Sequence, residues 1–212
     1  MHRIYKVNTR YHSGTFFILN LPPIPIYYNM SRKRSRKFDS HNISAINTMK
    51  SLISPEICKD IVYHNRWREC GYPACILSYN LPNRDVVIMK FTSVSRDDSI
   101  IRYHEIRWWV SLYIGPRKNQ DINMDGLQTG RCGMHGLVVA KQMLLVFVLI
   151  FLQPGQTLFV GGADGRRFRI YRHHLGKLGF KETRFDNEQT MMFTCPLTTK
   201  FPHIKEDLIK YE

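Results

Sequence analysis

Residues 157–180, Thr157-Leu-Phe-Val-Gly-Gly-Ala-Asp-Gly-Arg-Arg-Phe-Arg-Ile-Tyr-Arg-His-His-Leu-Gly-Lys-Leu-Gly-Phe180, decide the fold. Thr157 to Val160 is a short apolar run of β-forming residues, which predicts a buried strand. Gly161, Gly162 and Gly165 then give the chain the freedom for a tight turn. Arg166 to Leu178 predicts a basic helix carrying one tyrosine, Tyr171. Gly179, between Leu178 and Phe180, stops that helix, because glycine takes the left-handed conformation of a helix C-terminus without penalty. A strand, a turn and a helix in this order are a unit of a sheet covered by helices.

The flanking sequence extends the pattern. Gly136 to Leu152 is apolar at most positions and predicts a buried helix, closed by Pro154-Gly155. At its head lies a second glycine cluster, Gly130-Arg131-Cys132-Gly133-Met134-His135-Gly136. Downstream, Phe180–Arg184 and Met191–Leu197 flank Asp186-Asn187-Glu188-Gln189 and predict a hairpin. Upstream, Ala74–Tyr79 and Asp85–Phe91 flank Leu81-Pro82-Asn83-Arg84, a second hairpin. Ile100–Ile114 is rich in aromatic and β-branched residues and predicts a long strand or two broken ones. Gly115–Gly130 is a polar loop longer than the usual connection. Ser54-Pro55-Glu56 opens a helix, with Ser as N-cap and Pro at its first position. Ile57, Ile61, Val62 and Trp67 continue its apolar spacing, and Gly71 ends it. The summed order is helix, three strands, helix, strand, helix, strand, an α+β (mixed α/β) class with a mixed sheet.

The chain has 212 residues, 43% of them hydrophobic, enough for one domain with a substantial core. Residues 49–197 carry the periodic elements. Residues 1–48 read as a flexible N-terminal extension, with Met30 as a plausible natural start, and 198–212 as a C-terminal tail. The formal net charge of +14 suits a polyanionic partner, either nucleic acid or the phosphates of a nucleotide. The run Arg32-Lys-Arg-Ser-Arg-Lys37 belongs to the same balance. Five cysteines without a C-x-x-C pair fit reduced thiols in a cytoplasmic protein, and offer neither a zinc ribbon nor a redox motif. His64 with Cys70 and Cys75 is the one conceivable metal cluster, at a spacing that matches no familiar ligand pattern. Met143–Leu152 is ten apolar residues, short of the roughly 20 that span a bilayer. A buried core helix and no membrane partner follow.

The Thr157–Phe180 unit, with the glycine cluster at 130–136 before it, resembles the second half of a GCN5-related N-acetyltransferase domain. The resemblance covers roughly Asp85 to Leu197 and is strongest at Leu158–Phe180. It implies a central mixed, mostly antiparallel sheet with helices on both faces, and acetyl-coenzyme A as co-substrate. It implies that Arg131, Cys132, Gly133, Met134, His135 and Gly136 form the loop that holds the pyrophosphate. A helix N-terminus with glycines suits an anion, because its first amides lack intrahelical partners and carry partial positive charge. The family's loop has Arg or Gln, two variable residues, Gly, one variable residue, then Gly or Ala. Here Gly130 and His135 depart from it when the pattern is laid on Gly133. The resemblance further implies that Asp164 contacts the cofactor arm and that Tyr171 protonates the departing thiolate. In the family the tyrosine lies nearer the final glycine, where this chain has His173 and His174. Glu105 is the first choice for the base that deprotonates the amine acceptor, with His104 and Asp125 behind it.

Each residue has a plainer role beside this one. The glycines also suit tight packing, Asp164 a helix cap, Tyr171 a core or surface position, and Glu105 an exposed strand. Alternation along a strand makes at least one of Trp108 and Trp109 core. Two functions follow. One is an acetyl-coenzyme A-dependent N-acyltransferase acting on a primary amine by direct attack. The alternative is a basic nucleic-acid-binding protein on the same fold without catalysis, gripping phosphates through Arg166, Arg169, Arg172 and their neighbours.

Overall fold

The computed structural model describes residues 32–67, 73–94, 106–116, 133–162, 165–185, 188–197 and 199–212. The expected extension at 1–29 lies outside them. Helix α1 spans Arg32–Ser51 and α2 Pro55–Cys58. Strands β1 (Val62–Trp67), β2 (Pro73–Asn80), β3 (Asp85–Val94) and β4 (Arg107–Pro116) follow. Then come α3 (Gly133–Val146), β5 (Thr157–Gly161), α4 (Gly165–Gly176), β6 (Lys181–Phe185), β7 (Glu188–Thr194) and β8 (Lys210–Tyr211). The eight strands form one mixed sheet in the order β6-β7-β5-β4-β3-β2-β1-β8. Only β4–β5 and β1–β8 pair in parallel.

The hairpin of β2 and β3 turns on Leu81–Arg84 as its sequence predicts. Arg84 N–H donates to the Leu81 carbonyl at 3.1 Å, and Arg84 takes a left-handed φ of 66°. Pro82 presets the turn, and the Asp85 amide donates to Asn83 Oδ1 at 3.1 Å.

Strand alternation sorts the sheet into two faces. Cys75, Leu77, Val87, Met89, Phe91, Trp108, Leu158, Val160, Met191 and Phe193 face one way and join the main core. Phe147, on the π-helical turn Phe147–Phe151 that ends α3, stacks on Phe91 with centroids 3.7 Å apart and meets Trp108 edge-on. Trp108 is therefore core, and its indole N–H donates to Gln156 Oε1 at 2.9 Å. That bond offsets the cost of burying a polar group.

The expectation of helices on both faces is not met by the described residues: the buried residues of α1, α2, α3 and α4 all join this one core. The reason is topological. The β4–α3–β5 and β5–α4–β6 connections advance in the same direction across the sheet, so right-handed crossovers return both helices to one face. The opposite face carries a small cluster, Val86, Ile88 and Tyr113 with Ile76, and farther along the aromatic group Trp109, Phe159 and Phe185.

The structure differs from the sequence expectations at three places. Residues 32–48, read as a flexible lead-in, belong to α1, where Asn42, Ala45, Ile46 and Met49 form a buried stripe at helical spacing. Asn42 Nδ2 donates to the Thr194 carbonyl at 2.9 Å. The helix predicted from Ser54 to Gly71 ends at Cys58, and Val62–Trp67 is strand β1. Ser54 does precede α2 at the N-cap position, with its hydroxyl donating to Glu56 Oε2 at 2.9 Å rather than to a backbone amide, but Val62, Tyr63 and Trp67 prefer an extended backbone once a neighbouring strand is present. The tail expected at 198–212 holds β8. His64 ties β8 to the sheet: its Nδ1 lies 2.8 Å from Glu212 Oε2 and its Nε2 2.8 Å from Ser78 Oγ.

The Met134–Phe151 stretch, continuous through α3 and its π turn, is long and apolar enough to cross a membrane. Two thirds of it is buried inside the domain, 67%. Gln142 in its middle is also committed internally, accepting from the Ser54 amide and donating to the Leu52 carbonyl, each at 3.0 Å. A core helix accounts for its composition.

Candidate functional site: a cavity where two parallel strands part

β4 and β5 pair over three residues only, Arg107–Trp109 with Thr157–Phe159. β4 continues to Pro116 and β5 to Gly161 without further pairing to each other. A cavity of about 580 Å³ opens at this place. Its strand walls include Trp109, Val110, Ser111 and Leu112 from β4, Val160 and Gly161 from β5 with Gly162 just beyond, and Glu188 from β7. Its size falls within the range of small-molecule sites, roughly 300–1,000 Å³.

The two crossover helices complete the walls. α3 presents Met134, Leu137, Val138, Lys141 and Leu144, spaced as one helical face. α4 presents Ile170, Tyr171, His174 and Leu175, with Leu178 just beyond it. The side chains are mostly apolar, and the charged or polar ones are few and separated: Lys141, Tyr171, His174, Ser111 and Glu188.

α4 holds its register through its ending. Phe180 N–H donates to the Leu175 carbonyl at 3.1 Å and Gly179 N–H to the Gly176 carbonyl at 3.2 Å, with Gly179 at φ 85°. This is a Schellman ending, as the Leu-Gly-Phe triplet predicts. A Cβ on Gly179 would lie 2.4 Å from that of Ala45, so the same glycine lets α1 pack against the end of α4.

Gly161 and Gly162 serve internal packing. A Cβ at Gly161 would lie 2.8 Å from Trp109 Cζ2, and one at Gly162 would lie 2.7 Å from the Phe168 backbone nitrogen. The turn glycines thus also leave room for an indole and for the first turn of α4.

Of the residues expected at the site, Tyr171 and Met134 line the cavity. Gly133 opens α3, and Gly136 is buried within its first turn. That turn has no acidic residue. His135 is exposed and its ring stands 6.5 Å from that of Tyr79, away from the cavity walls. Arg131, Cys132, Asp164 and Glu105 lie outside the described residues, as do His104 and Asp125. Ser111, Lys141 and Glu188 are polar wall residues that the sequence does not assign to a site. Lys141 had a visible signal, a cation interrupting an apolar helix. Glu188 had none: the sequence reads it as part of the polar turn Asp186–Gln189, whereas it opens β7.

The three described thiols are not chemically poised. Burial pushes Cys58 up to about 11, assisted by the nearby Glu56 carboxylate, and Cys195 up to about 12. Burial raises Cys75 further still. Thiols held protonated in apolar surroundings are poor nucleophiles and poor metal ligands. His64, considered beside Cys70 and Cys75, is engaged with Ser78 and Glu212 instead, and Cys70 lies outside the described residues. Among the described residues no group of three His, Cys, Asp or Glu could hold a metal ion.

No family model, curated protein or solved structure matches the chain.

Proposed function

We propose that this protein is an N-acyltransferase of the GCN5-related type, which moves an acetyl group from acetyl-coenzyme A to a primary amine. The observation that carries the proposal is the parting of two parallel strands after three paired residues, with an apolar cavity in the gap bordered by α3 and α4. A gap of this kind offers a slot for a thin, flexible acyl-bearing arm, and unpaired strand backbone to hold it. Acetyl-coenzyme A supplies an activated acyl group as a thioester. The first turn of α3, free of acidic residues, suits the phosphates, and Lys141 adds a positive charge on the helix side. Tyr171 borders the cavity from α4, where its hydroxyl can give a proton to a departing thiolate.

Thermal unfolding with and without acetyl-coenzyme A tests this directly. A ligand at a hundredfold excess over its Kd stabilises the native state by about 2.7 kcal/mol. The wild type gains stability and a Gly133→Glu chain does not. An equal response from both, or none from the wild type, removes the proposal.

A second reading has its own observation. Arg169, Arg172, Lys177 and Lys181 are exposed along α4 and the start of β6. A nucleic-acid-binding protein would use this face, and its affinity would fall steeply with salt. Binding to DNA or RNA without any response to coenzyme A favours it.

A further inference from the structure

We infer that the strand-side mouth of the cavity receives its second substrate as a cation, an ammonium held by Glu188 against Trp109. The inference rests on the acyltransferase reading, because it names the acceptor class of that same site.

The charges around the cavity are segregated. Lys141 comes from α3, on the helix side, while Glu188 is the one carboxylate among its described walls and comes from β7. Register and alternation place Glu188 with the strands' other face. Gly161 pairs with Thr190 and Phe185 with Glu188, and a Cβ on Gly161 would meet Trp109. Glu188, Phe185 and Trp109 therefore share the face of the sheet on which none of the described helices packs. There the Trp109 and Phe185 rings stand 5.6 Å apart, and Phe159 meets Phe185 at 5.0 Å.

Glu188 is exposed, and among the described residues no cation forms an ion pair with it. A carboxylate beside aromatic rings at the mouth of an apolar slot attracts a cation twice over, by its charge and by the negative faces of the rings. Lys90 and Arg107 stand on the same face of β3 and β4, but neither lines the cavity. The chain's +14 does not decide the matter. At physiological salt charges are screened over about 8 Å, so the carboxylate at the mouth outweighs distant lysines there. An anionic donor thus enters from the helix side and an ammonium from the strand side, and the two meet in the gap. This argues against an acidic acceptor.

The test uses the full chain and three probes of one shape: n-butylamine, neutral n-butanol and anionic butyrate. Binding is read by saturation-transfer NMR, and coenzyme A binding in parallel by thermal shift. The amine binds in preference to both others. Glu188→Gln weakens amine binding tenfold or more, Glu188→Asp restores part of it, and the coenzyme A shift stays unchanged in both variants. Equal binding of amine and alcohol, preference for butyrate, or full amine affinity in Glu188→Gln overturns the inference. If coenzyme A gives no shift while the amine pattern holds, the acyltransferase reading has failed and the cation site has not.

Discussion

The indole of Trp109 occupies the space in which a side chain at Gly161 would begin, with Cζ2 2.8 Å from that hypothetical Cβ. Trp109 is the last residue of β4 paired with β5, and Gly161 is the last residue of β5. The contact therefore sits where the strands stop pairing, and a rigid ring is wedged at the point of parting. The gap is a packed feature of the sheet.

Gly161→Ala tests the wedge. The new methyl cannot coexist with the ring, so overpacking costs about 1–3 kcal/mol in denaturant unfolding. Trp109→Ala removes the obstacle, and the double variant recovers part of the loss as a favourable coupling energy. Additive effects would show that the ring and the glycine do not constrain each other.

Two other glycines make a matched pair. Gly179 is left-handed, and its Cβ would clash with Ala45. Gly176 is helical, with nothing within 4 Å of its Cβ position. Gly179→Ala therefore destabilises by more than the roughly 1–2 kcal/mol of left-handed strain alone. Gly176→Ala stabilises by up to about 1 kcal/mol. Chemical denaturation of the two variants side by side checks the opposite signs.

Tyr171→Phe removes the hydroxyl and keeps the ring that lines the cavity. Turnover falls by about 10²-fold or more, while the thermal shift with acetyl-coenzyme A is kept. Unchanged turnover would assign Tyr171 to packing alone.

The buried Cys195 thiol gives a pH prediction. Its folded value is raised from 9.0 to about 12, so the unfolded chain loses this proton first as pH rises. Its contribution is complete below pH 9 and is lost as pH climbs towards 12. The stability difference between wild type and Cys195→Ala therefore narrows across that window in urea unfolding. A difference independent of pH contradicts the assignment.

The α3–β5–α4 passage and both hairpins were legible because local signals and tertiary demand agree there. Thr157–Val160 is apolar and β-forming, Gly179 is a helix stop, and Pro82-Asn83 is a turn. β1 was misread because the cap at Ser54 is followed by residues whose spacing also fits a helix, and only pairing with β2 decides between the two. α1 was missed because its stripe of Asn42, Ala45, Ile46 and Met49 is narrow within a strongly basic segment. The cavity is not written in the residues of either strand. It depends on where β4 and β5 stop pairing, and no residue in either strand announces that. Glu188 reaches it only through the register of β5, β7 and β6.

A crystal structure with acetyl-coenzyme A bound tests the central claim most directly. The account predicts the acyl-bearing arm between Val110 of β4 and Val160 of β5, its phosphates at the first turn of α3, and its thioester within reach of Tyr171. Coenzyme A bound elsewhere on the chain, with the gap between those strands filled by protein, would contradict it.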